Sequence, residues 1–464
     1  MNTNKLNKGM LDQKNSYHFV GIGGSGMSAL AQILVARGMK VSGSDRYYDS
    51  GLNITLFDKL ISVGISMFRQ DGSGVEGKVD RVVVSTAIEE DNLDIKKAKA
   101  QNIPIIKRAE LLAEIFNPAK QGIAITGTSG KTTVTAMIGF ILHQLGLALT
   151  IINGGIMLNF SNDNCLGNAI IGNTELIVIE ADESDGSSSL YQPAIGVITN
   201  INLDHKPLNE LEGIFADFAK NTRQTLILNA DCTRCMKIKD KAITFGIKNK
   251  AEIFPKELCL EKSYMIIEDT SFHLPLLGVH NVYNTLAAIA VVKALGVKLK
   301  EISEVLGKFK GIKRRLQFIG EQKGIKVIDD YAHNPDKIKA TLQTLKLQFP
   351  RLIAIFQPHG FAPTRLLKEE FIQTFKEELR RQDILFMPEI YYAGGTVTKD
   401  ISSNDIITPL QKEGLQAYYF AHREEILSQL IEKAKPKDGI VIMGARDDTL
   451  SEFCLNILEA LKTD

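Results

Sequence analysis

Short apolar runs alternate with amphipathic stretches along most of the chain. Each run has the length of a buried strand, and each stretch repeats apolar residues at helical spacing. The clearest runs lie within residues 17–22, 81–88, 122–126, 176–179, 194–201, 326–330, 352–357, 383–388 and 439–444. Because strands that alternate with helices form parallel sheets with helices on both faces, the pattern predicts an α/β fold.

Breaks in this pattern predict three domains. Asn117-Pro118 ends a small first α/β group, and a chain of 464 residues has room for about three separate cores. We predict a Rossmann-like N-terminal domain at residues 1–118, a central P-loop ATPase-like parallel sheet at 119–315 and a Rossmann-like C-terminal domain at 316–464.

Composition and charge limit the cellular compartment and the binding partners that we expect. The net charge is +1 with acids and bases evenly mixed, so we predict no nucleic-acid partner and no binding to an anionic membrane. No apolar run reaches the about 18 residues that span a bilayer, and the polar first 16 residues lack the apolar core of a signal peptide. These features predict a cytoplasmic protein with five reduced cysteines, and the single pair Cys232 and Cys235 lacks the partners of a zinc site.

A glycine turn between a strand and a helix carries the strongest chemical signal. Residues 122–138 read GIAITGTSGKTTVTAMI, which predicts a strand, a phosphate loop and a helix. Gly127 and Gly130 allow backbone N–H groups to surround a β-phosphate at the positive end of that helix. Ile125 stands where the broad Walker pattern has glycine, so the loop is a shorter variant. The predicted ATP-binding residues are Gly127, Thr128, Ser129, Gly130, Lys131, Thr132 and Thr133.

Two strand ends supply candidate magnesium ligands. Glu180 follows an apolar strand, and a carboxylate there can complete a Mg²⁺ shell begun by Thr132. His205 follows the next strand and is a candidate ligand for a second metal, with a hydrogen-bonded structural role as the alternative. Three further acids follow Glu180, namely Asp182, Glu183 and Asp185. They could equally belong to a solvated loop with no role in metal binding.

A second glycine turn lies near the start of the chain. Residues 17–45 predict a strand, a GxGxxG turn, a helix and a second strand that ends in an acid. Such a turn can hold a diphosphate at the helix start, although glycines that only permit tight packing give the same pattern. An NAD-dependent oxidoreductase also fits this turn, but it leaves the lysine-bearing loop unexplained. The predicted substrate-binding residues are Gly23, Gly24, Gly26, Met27 and Asp45.

Residues 277–297 predict a loop that runs into a strongly apolar helix. His280, Asn281 and Asn284 lie on one helical face at its start, where they can reach a purine or a metal-bound water. The alternative is that Asn281 only caps the helix. The basic residues 313–315 that follow fit either a solvated face or a hinge that meets phosphate.

In the last predicted domain, polar residues follow the carboxyl ends of the predicted strands. Asp329, Asp330 and His333 follow the first strand, before a helix that starts at Pro335. His359 follows the next strand, and two further strand–helix units close the chain. These four strands predict one open parallel sheet with its ligand edge at their carboxyl ends.

The combination of motifs resembles the Mur ligases over nearly the whole length. The motifs that carry the resemblance are HFVGIGGSGM, GTSGKTT, EADESDGS, GVHNVYN, GIKRRL, DDYAHNP and IFQPH. Within that family the chain is most similar to the branch that adds the first amino acid, L-alanine, to UDP-N-acetylmuramate. The resemblance implies amide formation driven by ATP and Mg²⁺, in which ATP phosphorylates the sugar's lactyl carboxylate and the amine attacks the acyl phosphate.

The resemblance also implies roles for individual residues. Gly23, Gly26 and Asp45 would hold the UDP moiety of UDP-N-acetylmuramate or a similar UDP-sugar acid. The residues implied for the γ-phosphate and Mg²⁺ are Lys131, Thr132, Glu180 and His205. Those implied for the rest of ATP are His280, Asn281, Asn284, Arg315 and Asp330. His333 and His359 would line the pocket of the incoming amino acid. The predicted catalytic residues are Lys131, Glu180, His205, His333 and Arg365.

The acceptor region departs from the family pattern. The family usually has two histidines where this chain has His333-Asn334, and Gly360 and Pro363 replace two arginines of an HRYTRTR-like stretch, which leaves Arg365. Lys206-Pro207 replaces Met-Asp, and GARDDTL replaces a GAG-type turn and introduces Arg446, a candidate for restoring the charge. An amino-acid carboxylate prefers a bidentate guanidinium, so these changes predict a changed acceptor or affinity.

Three hypotheses follow. The first is a ligase that uses L-alanine, and the second is a paralogue of the same chemistry that uses another amine or peptide. The third is a catalytically weak nucleotide-binding regulator, against which the intact Gly130, Lys131, Thr132, Glu180 and His205 argue. We predict a monomer or a weak dimer.

Overall fold

The structure is a computed structural model that describes residues 15–77, 79–184, 186–202, 207–238, 241–392, 398–447 and 449–463. The chain divides into two compact units. The first contains residues up to 259, 264–275 and 281–312, and the second contains 260–263, 276–280 and 313–464. No helix of the described residues has the length and apolar character needed to cross a bilayer. The predicted domain boundaries at 118 and 315 stay predictions.

The first unit opens with a five-stranded sheet in the order β3-β2-β1-β4-β5, in which every neighbouring pair is parallel. Its elements are β1 Ser16–Val20, α1 Ser25–Ala36, β2 Lys40–Ser44, α2 Arg46–Asp49, α3 Ile54–Ser62, β3 Ser66–Phe68, β4 Arg81–Val84, α4 Leu93–Ala100, β5 Ile105–Lys107 and α5 Arg108–Phe116. The N-terminal glycine turn therefore lies between the central strand β1 and α1, as predicted.

A buried polar network fixes the strands beside this turn. The side chains of His18 and Asp94 are fully buried, with His18 Nε2 3.5 Å from Asp94 Oδ2. Ser44 Oγ and the Gly72 N–H donate to the same carboxylate at 2.5 and 2.8 Å. Buried polar groups are tolerated when they are paired in this way. The network therefore ties β1 and β2 to α4 at fixed positions.

The second sheet has seven strands in the order β12-β11-β10-β6-β9-β7-β8. Its elements are β6 Gln121–Thr126, α6 Lys131–Gln144, β7 Thr150–Ile152, β8 Ala169–Ile170, β9 Leu176–Glu180, β10 Ile195–Ile198, α7 Leu208–Asn221, β11 Thr225–Asn229 and β12 Ile243–Phe245. All neighbouring pairs are parallel except β7 and the short edge strand β8. Since β6 lies between β9 and β10, the ends of these three strands lie side by side.

A small antiparallel sheet and two helices complete the first unit. They are β13 Pro255–Cys259, β14 Tyr264–Ile267, β15 Thr270–His273, α8 Val279–Ala294 and α9 Leu299–Leu306, except that the first two residues of α8 and the turn 260–263 belong to the second unit. The apolar helix α8 was predicted, and its middle is almost wholly buried. The sequence analysis did not predict the three-stranded sheet, whose strands mix polar and apolar residues without a strong period.

The second unit is built on a six-stranded sheet in the order β16-β17-β21-β18-β19-β20. Its elements are β16 Gln317–Gln322, β17 Ile325–Asp330, α10 Pro335–Lys346, β18 Arg351–Gln357, α11 Phe361–Leu366, α12 Lys368–Glu378, β19 Ile384–Pro388, α13 Asn404–Lys412, β20 Gln416–Phe420, α14 Ile426–Lys433, β21 Asp438–Gly444 and α15 Thr449–Thr463. Apolar clusters cover both faces of this sheet.

The prediction of an α/β fold with parallel sheets is confirmed, but the last sheet is not wholly parallel. The four predicted strands are present and parallel, and β20 adds a fifth. The edge strand β16 is antiparallel to β17. Lys323 and Gly324 join these two strands, both with positive φ, which is the backbone of a tight hairpin turn. A Lys-Gly pair is a weaker hairpin signal than Asn-Gly, so the sequence analysis did not detect it.

Candidate functional site

The loop between β6 and α6 has the backbone that its glycines predict. Gly127 and Gly130 have φ of 130° and 90°, a region that glycine adopts without strain. A Cβ on Gly127 would collide with Thr199 Oγ1, and one on Gly130 would collide with Asn284 Oδ1. Both positions therefore require glycine for space as well as for conformation. The N–H groups of the first turn of α6 have no partners within the helix and are available to an anion.

Asn200 follows the neighbouring strand β10, and its side chain fixes this loop through hydrogen bonds. Its Oδ1 accepts from Thr128 Oγ1 at 2.5 Å and from the Ser129 N–H at 3.0 Å. Its Nδ2 donates to the Ser129 carbonyl at 3.0 Å, and Thr199 Oγ1 donates to the same carbonyl at 2.6 Å. Nothing in the sequence around Asn200 predicts this supporting role. The parallel pairing of β6 and β10 is the feature that brings the two loops together.

Lys131 is held by two groups in loops that follow strands of the second sheet. Its Nζ donates to the Gly127 carbonyl at 2.8 Å and lies 2.7 Å from Glu183 Oε2. Burial by itself would lower the pKa of Lys131, but the carboxylates of Glu183, Glu180 and Asp182 outweigh it, so the pKa is raised. Lys131 is therefore a fixed positive charge. The solvated-loop alternative is wrong for Glu183, which is 3% exposed, and Asp185 lies outside the described residues.

Thr132 and Glu180 come together as a candidate magnesium site. Thr132 Oγ1 donates to Glu180 Oε1 at 3.0 Å, and the Gly154 N–H donates to Glu180 Oε2 at 2.9 Å. A hydroxyl and a carboxylate beside a phosphate loop are ligands that suit Mg²⁺. His205, the third predicted ligand, lies outside the described residues. Within the described residues no cluster of three or more His, Cys, Asp or Glu side chains forms a metal site.

The start of α8 brings two asparagines to the phosphate loop. Asn281 and Asn284 are buried, and Asn284 Nδ2 donates to Asn281 Oδ1 at 2.9 Å. Asn284 Oδ1 lies against Gly130. The capping alternative is wrong, because α8 begins at Val279 and Asn281 is already its third residue. His280 is exposed at the helix start.

The N-terminal glycine turn is fastened by Asp45. Its two carboxylate oxygens accept from the N–H groups of Gly23 and Tyr47, each at 2.9 Å. Asp45 is 7% exposed, and burial raises the pKa of its carboxyl group in spite of these bonds. Asp45 therefore has a structural function at the turn. A contact between Asp45 and a ligand stays a prediction.

A basic side chain that the sequence analysis missed lies against this turn. A Cβ on Gly26 would be 3.2 Å from both Cδ and Nη1 of Arg108, the first residue of α5. Arg108 also acts electrostatically on Asp182. Gly24 precedes α1 and Met27 is buried within it. Arg108 lies in the stretch IPIIKRAELL, residues 103–112, where nothing local distinguishes it from an ordinary surface arginine.

In the second unit, His333 and His359 lie at the ends of β17 and β18. Their rings form an edge-to-face pair with centroids 5.5 Å apart, and His333 Nδ1 lies 2.8 Å from the Tyr331 carbonyl oxygen. Burial and Lys337 lower the pKa of His333 to about 3. Burial and Arg446 lower the pKa of His359 to about 4. Both rings are therefore neutral at physiological pH.

These two histidines predict a loss of stability in mild acid. Both groups have a pKa near 6.5 in the unfolded chain and a lower one in the folded chain, so the unfolded chain binds more protons as the pH falls below about 6.5. We expect the free energy of unfolding to fall by about 1–2 kcal/mol for each histidine between pH 7 and pH 5. Urea unfolding at both pH values measures it. The double variant His333→Asn/His359→Asn should lose less stability than the unmodified protein between these pH values. An equal loss of stability in the two proteins would contradict the prediction.

Asp330 and the two arginines of the basic run differ in their burial and in their partners. Asp330 accepts a hydrogen bond from Thr341 Oγ1, and burial raises the pKa of its carboxyl group. The Arg315 guanidinium lies over the Tyr331 ring, 5.1 Å from its centroid. Arg314 is buried and donates to the Gly444 and Asp447 carbonyls at 2.8 and 3.0 Å. Neither interpretation of the basic trio, a solvated face or a phosphate-facing hinge, describes Arg314.

Two of the family departures have visible structural partners. Asn334 caps α10, because its Oδ1 accepts from the Lys337 N–H at 3.0 Å. The Arg365 guanidinium is paired with Asp400 and also donates to the Thr398 carbonyl at 3.2 Å. Arg365 would have to leave Asp400 to bind the carboxylate of an amino acid. Its predicted role stays a prediction.

Sequence profiles of one family match three successive parts of the chain. The profile described as Mur ligase family, catalytic domain, matches residues 16–120. The profile described as Mur ligase middle domain matches residues 125–292, and the one described as Mur ligase, glutamate ligase domain, matches residues 314–446. The matches follow each other in chain order and together cover most of the protein.

Full-length relatives agree with these matches. A UDP-N-acetylmuramate–L-alanine ligase of Geobacter sulfurreducens is 38% identical over 92% of this chain and 94% of its own. The ligase of the same name from Aquifex aeolicus is 35% identical over 97% and 98%. The crystal structure of UDP-N-acetylmuramate–alanine ligase MurC from Thermotoga maritima has a TM-score of 0.79 at 28% identity, covering 97% of this chain and 99% of that one. The chain belongs to the Mur ligase family.

Proposed function

We propose that the protein is an ATP-dependent ligase that joins L-alanine to the lactyl carboxylate of UDP-N-acetylmuramate during peptidoglycan precursor synthesis. The observation that carries this proposal is the loop at Gly127–Thr133, where a fixed positive lysine, a hydroxyl and a carboxylate surround the start of α6. The names and coverage of the relatives support the choice of substrates. The reaction forms an acyl phosphate and then an amide, and it releases ADP and phosphate.

The phosphate loop would bind the triphosphate of ATP. Backbone N–H groups of its glycine turn and of the first turn of α6 would donate to the β-phosphate, and Lys131 would bring its charge to the transferring phosphoryl group. Asn281 and Asn284 would contact the nucleotide beside Gly130. His280, Arg315 and Asp330 remain proposed contacts of ATP. Phosphoryl transfer depends mainly on position and charge neutralisation, which these groups supply.

Thr132 and Glu180 would hold Mg²⁺ beside the loop. Their 3.0 Å hydrogen bond brings a hydroxyl oxygen and a carboxylate oxygen to one place, and oxygen ligands are what this ion prefers. When bound, the metal neutralises negative charge on the phosphate oxygens. His205 is a proposed further ligand. The Gly154 N–H keeps Glu180 in position through its other oxygen.

The N-terminal turn would bind the UDP moiety. Gly23, Gly24 and Gly26 leave the start of α1 open to a diphosphate, and Asp45 holds the turn in shape. Arg108 beside Gly26 is a further candidate, since a guanidinium can bind phosphate oxygens in pairs. Met27 would line the same site.

The second unit would bind the amino acid through His333, His359 and Arg365. A histidine with a pKa of about 3 or about 4 is a weak base, so we assign these two rings to hydrogen bonding and orientation rather than to proton abstraction. A cytoplasmic location and a monomeric or weakly dimeric state complete the proposal. The five free thiols support a reducing compartment.

Phosphate release with each amino acid in turn tests the proposed function. We expect turnover to require ATP, Mg²⁺ and UDP-N-acetylmuramate, and kcat/KM for L-alanine to exceed that for glycine by about 10-fold or more, the usual effect of one methyl group in a fitted pocket. Mass spectrometry of the product identifies the amide. Faster turnover with another amine would favour a paralogue of the same chemistry with a different acceptor. The pairing of Arg365 with Asp400 supports that alternative, because it occupies the guanidinium expected to bind an amino-acid carboxylate. No turnover with any acceptor would favour a regulator.

A further inference from the structure

Three loops of the second unit meet at the carboxyl end of its sheet. Strand β21 lies between β17 and β18, with Met443 opposite Asp330 and Gly444 opposite Gln357. The residues after these strand ends therefore share one edge of the sheet. His333 follows β17, His359 follows β18, and Arg446 follows β21 between them.

Arg446 has an unusual backbone for an arginine. Its φ is 63°, the left-handed region that favours glycine, and its N–H lies 3.4 Å from the Tyr331 hydroxyl oxygen that accepts from it. A residue with a side chain is strained in this region, because its Cβ crowds the backbone. Such strain is retained where the position of the side chain matters, and here it directs an exposed arginine to the edge that carries both histidines.

The guanidinium of Arg446 has no ion pair or hydrogen bond with any residue that the structure describes. The nearby acids are already used by other groups. Asp329 is bound by Arg314 and Ser451, and Asp447 is bound by Arg423 at 2.7 Å. Asp330 is buried against Thr341.

The charges that face the two histidines are positive. Burial is the main cause of the lowered pKa of both rings, and nearby cations add to it: Arg446 acts on His359, and Lys337 and Arg315 act on His333. Both rings are therefore neutral, and they can form hydrogen bonds with a ligand without contributing a charge. The described acids at this edge, Asp329, Asp330 and Asp447, are already bonded to other groups, so the positive charge that faces the histidines suits an anionic ligand.

Arg365, the arginine expected to bind the carboxylate of the amino acid, is differently placed. Its guanidinium is paired with Asp400 through both Nε and Nη2. The strained Arg446 therefore offers the guanidinium that Arg365 does not. A carboxylate is the anion that best matches a planar guanidinium, because two parallel N–H···O bonds can form.

We propose that Arg446 binds the α-carboxylate of the incoming amino acid and thereby selects amino acids over uncharged amines. This inference rests on the proposed function, since it names the residue that recognises the acceptor of that reaction. His333 and His359 border the same carboxylate as neutral hydrogen-bonding partners. The GARDDTL turn thus compensates for the basic residues absent at Gly360 and Pro363.

The test uses the full-length variant Arg446→Gly, in which glycine accepts the positive φ and removes only the side chain. Two acceptors are compared, L-alanine and L-alaninamide, which lacks the carboxylate charge. We expect KM for L-alanine to rise by about 10- to 100-fold, the usual effect of losing a charged hydrogen bond. KM for L-alaninamide and KM for ATP should change by less than about 3-fold, within the scatter of surface substitutions. Arg446→Lys should restore part of the loss.

Lys437→Gly is the matched control. Lys437 is an exposed basic residue with φ of 74° that precedes the same strand at its opposite end, so this variant relieves the same kind of strain far from the histidines. It should leave all three KM values unchanged. An unchanged preference for L-alanine over L-alaninamide in Arg446→Gly would overturn the inference, and a rise confined to KM for ATP would assign Arg446 to phosphate instead. No turnover of the unmodified protein with any amino acid would instead overturn the proposed function.

Discussion

Replacing Lys131 with alanine should lower ATP-dependent turnover by about 10³-fold or more, because a positive charge on a transferring phosphoryl group contributes on that scale. Lys131 Nζ is held by the Gly127 carbonyl at 2.8 Å and by Glu183 at 2.7 Å, so its charge is positioned before any ligand arrives. Affinity for UDP-N-acetylmuramate, measured by calorimetry, should stay within about 3-fold, since that ligand is expected on the other sheet of the unit.

The control for this variant concerns Glu183. Removing Lys131 leaves a carboxyl group that is 3% exposed without its cation, and an unpaired buried charge destabilises a fold by itself. The variant Lys131→Ala/Glu183→Gln removes that charge as well. It should regain thermal stability relative to Lys131→Ala but remain inactive. If it regained turnover, or if UDP-sugar affinity fell together with turnover, Lys131 would not have the separate role assigned to it.

Replacing Arg314 with leucine should destabilise the second unit by about 3–5 kcal/mol, the usual cost of breaking a buried ion pair from one side. Arg314 is 5% exposed and joins two strands and a loop, through Asp329 of β17, the Gly444 carbonyl of β21 and the Asp447 carbonyl in the loop after β21. Its loss leaves the fully buried Asp329 carboxylate without its cation, and among the described residues the Ser451 hydroxyl still donates to it. Urea unfolding followed by circular dichroism measures the change.

The neighbouring arginine is the matched control. Arg315 is partly exposed and stacks on the Tyr331 ring, so Arg315→Leu should cost less than about 1 kcal/mol of stability. Its proposed contact with ATP predicts an effect on KM for ATP instead. Equal destabilisation by the two substitutions would show that Arg314 is not the residue that holds these loops.

Much of the fold was predictable because its strands are short, apolar and separated by helical periods. The phosphate loop was predictable for a further reason: its chemistry is local, and Gly127, Gly130, Lys131 and Thr132 lie within six residues of one another. Glu180 was also predictable, since it ends an apolar strand, and parallel strands bring such ends to one edge.

Other site residues could not be predicted because their roles arise from contacts between distant segments. Asn200, Glu183 and Arg108 have no local pattern that separates them from loop or surface residues, and each acquires its role when a neighbouring strand or helix packs beside it. Arg314 and Arg315 are adjacent in a basic run, yet one is buried and one is partly exposed. Only the three-dimensional structure distinguishes them.

The central claim is that the triphosphate binds at the loop before α6 and the uridine diphosphate binds at the N-terminal glycine turn. Crystals grown with Mg²⁺, a non-hydrolysable ATP analogue and UDP-N-acetylmuramate test it most directly. We expect density for the β- and γ-phosphates against the backbone of Gly127–Thr132, and density for the diphosphate of the sugar nucleotide beside Gly23–Met27. Nucleotide density away from the first loop, or uridine density away from the second, would contradict the assignment.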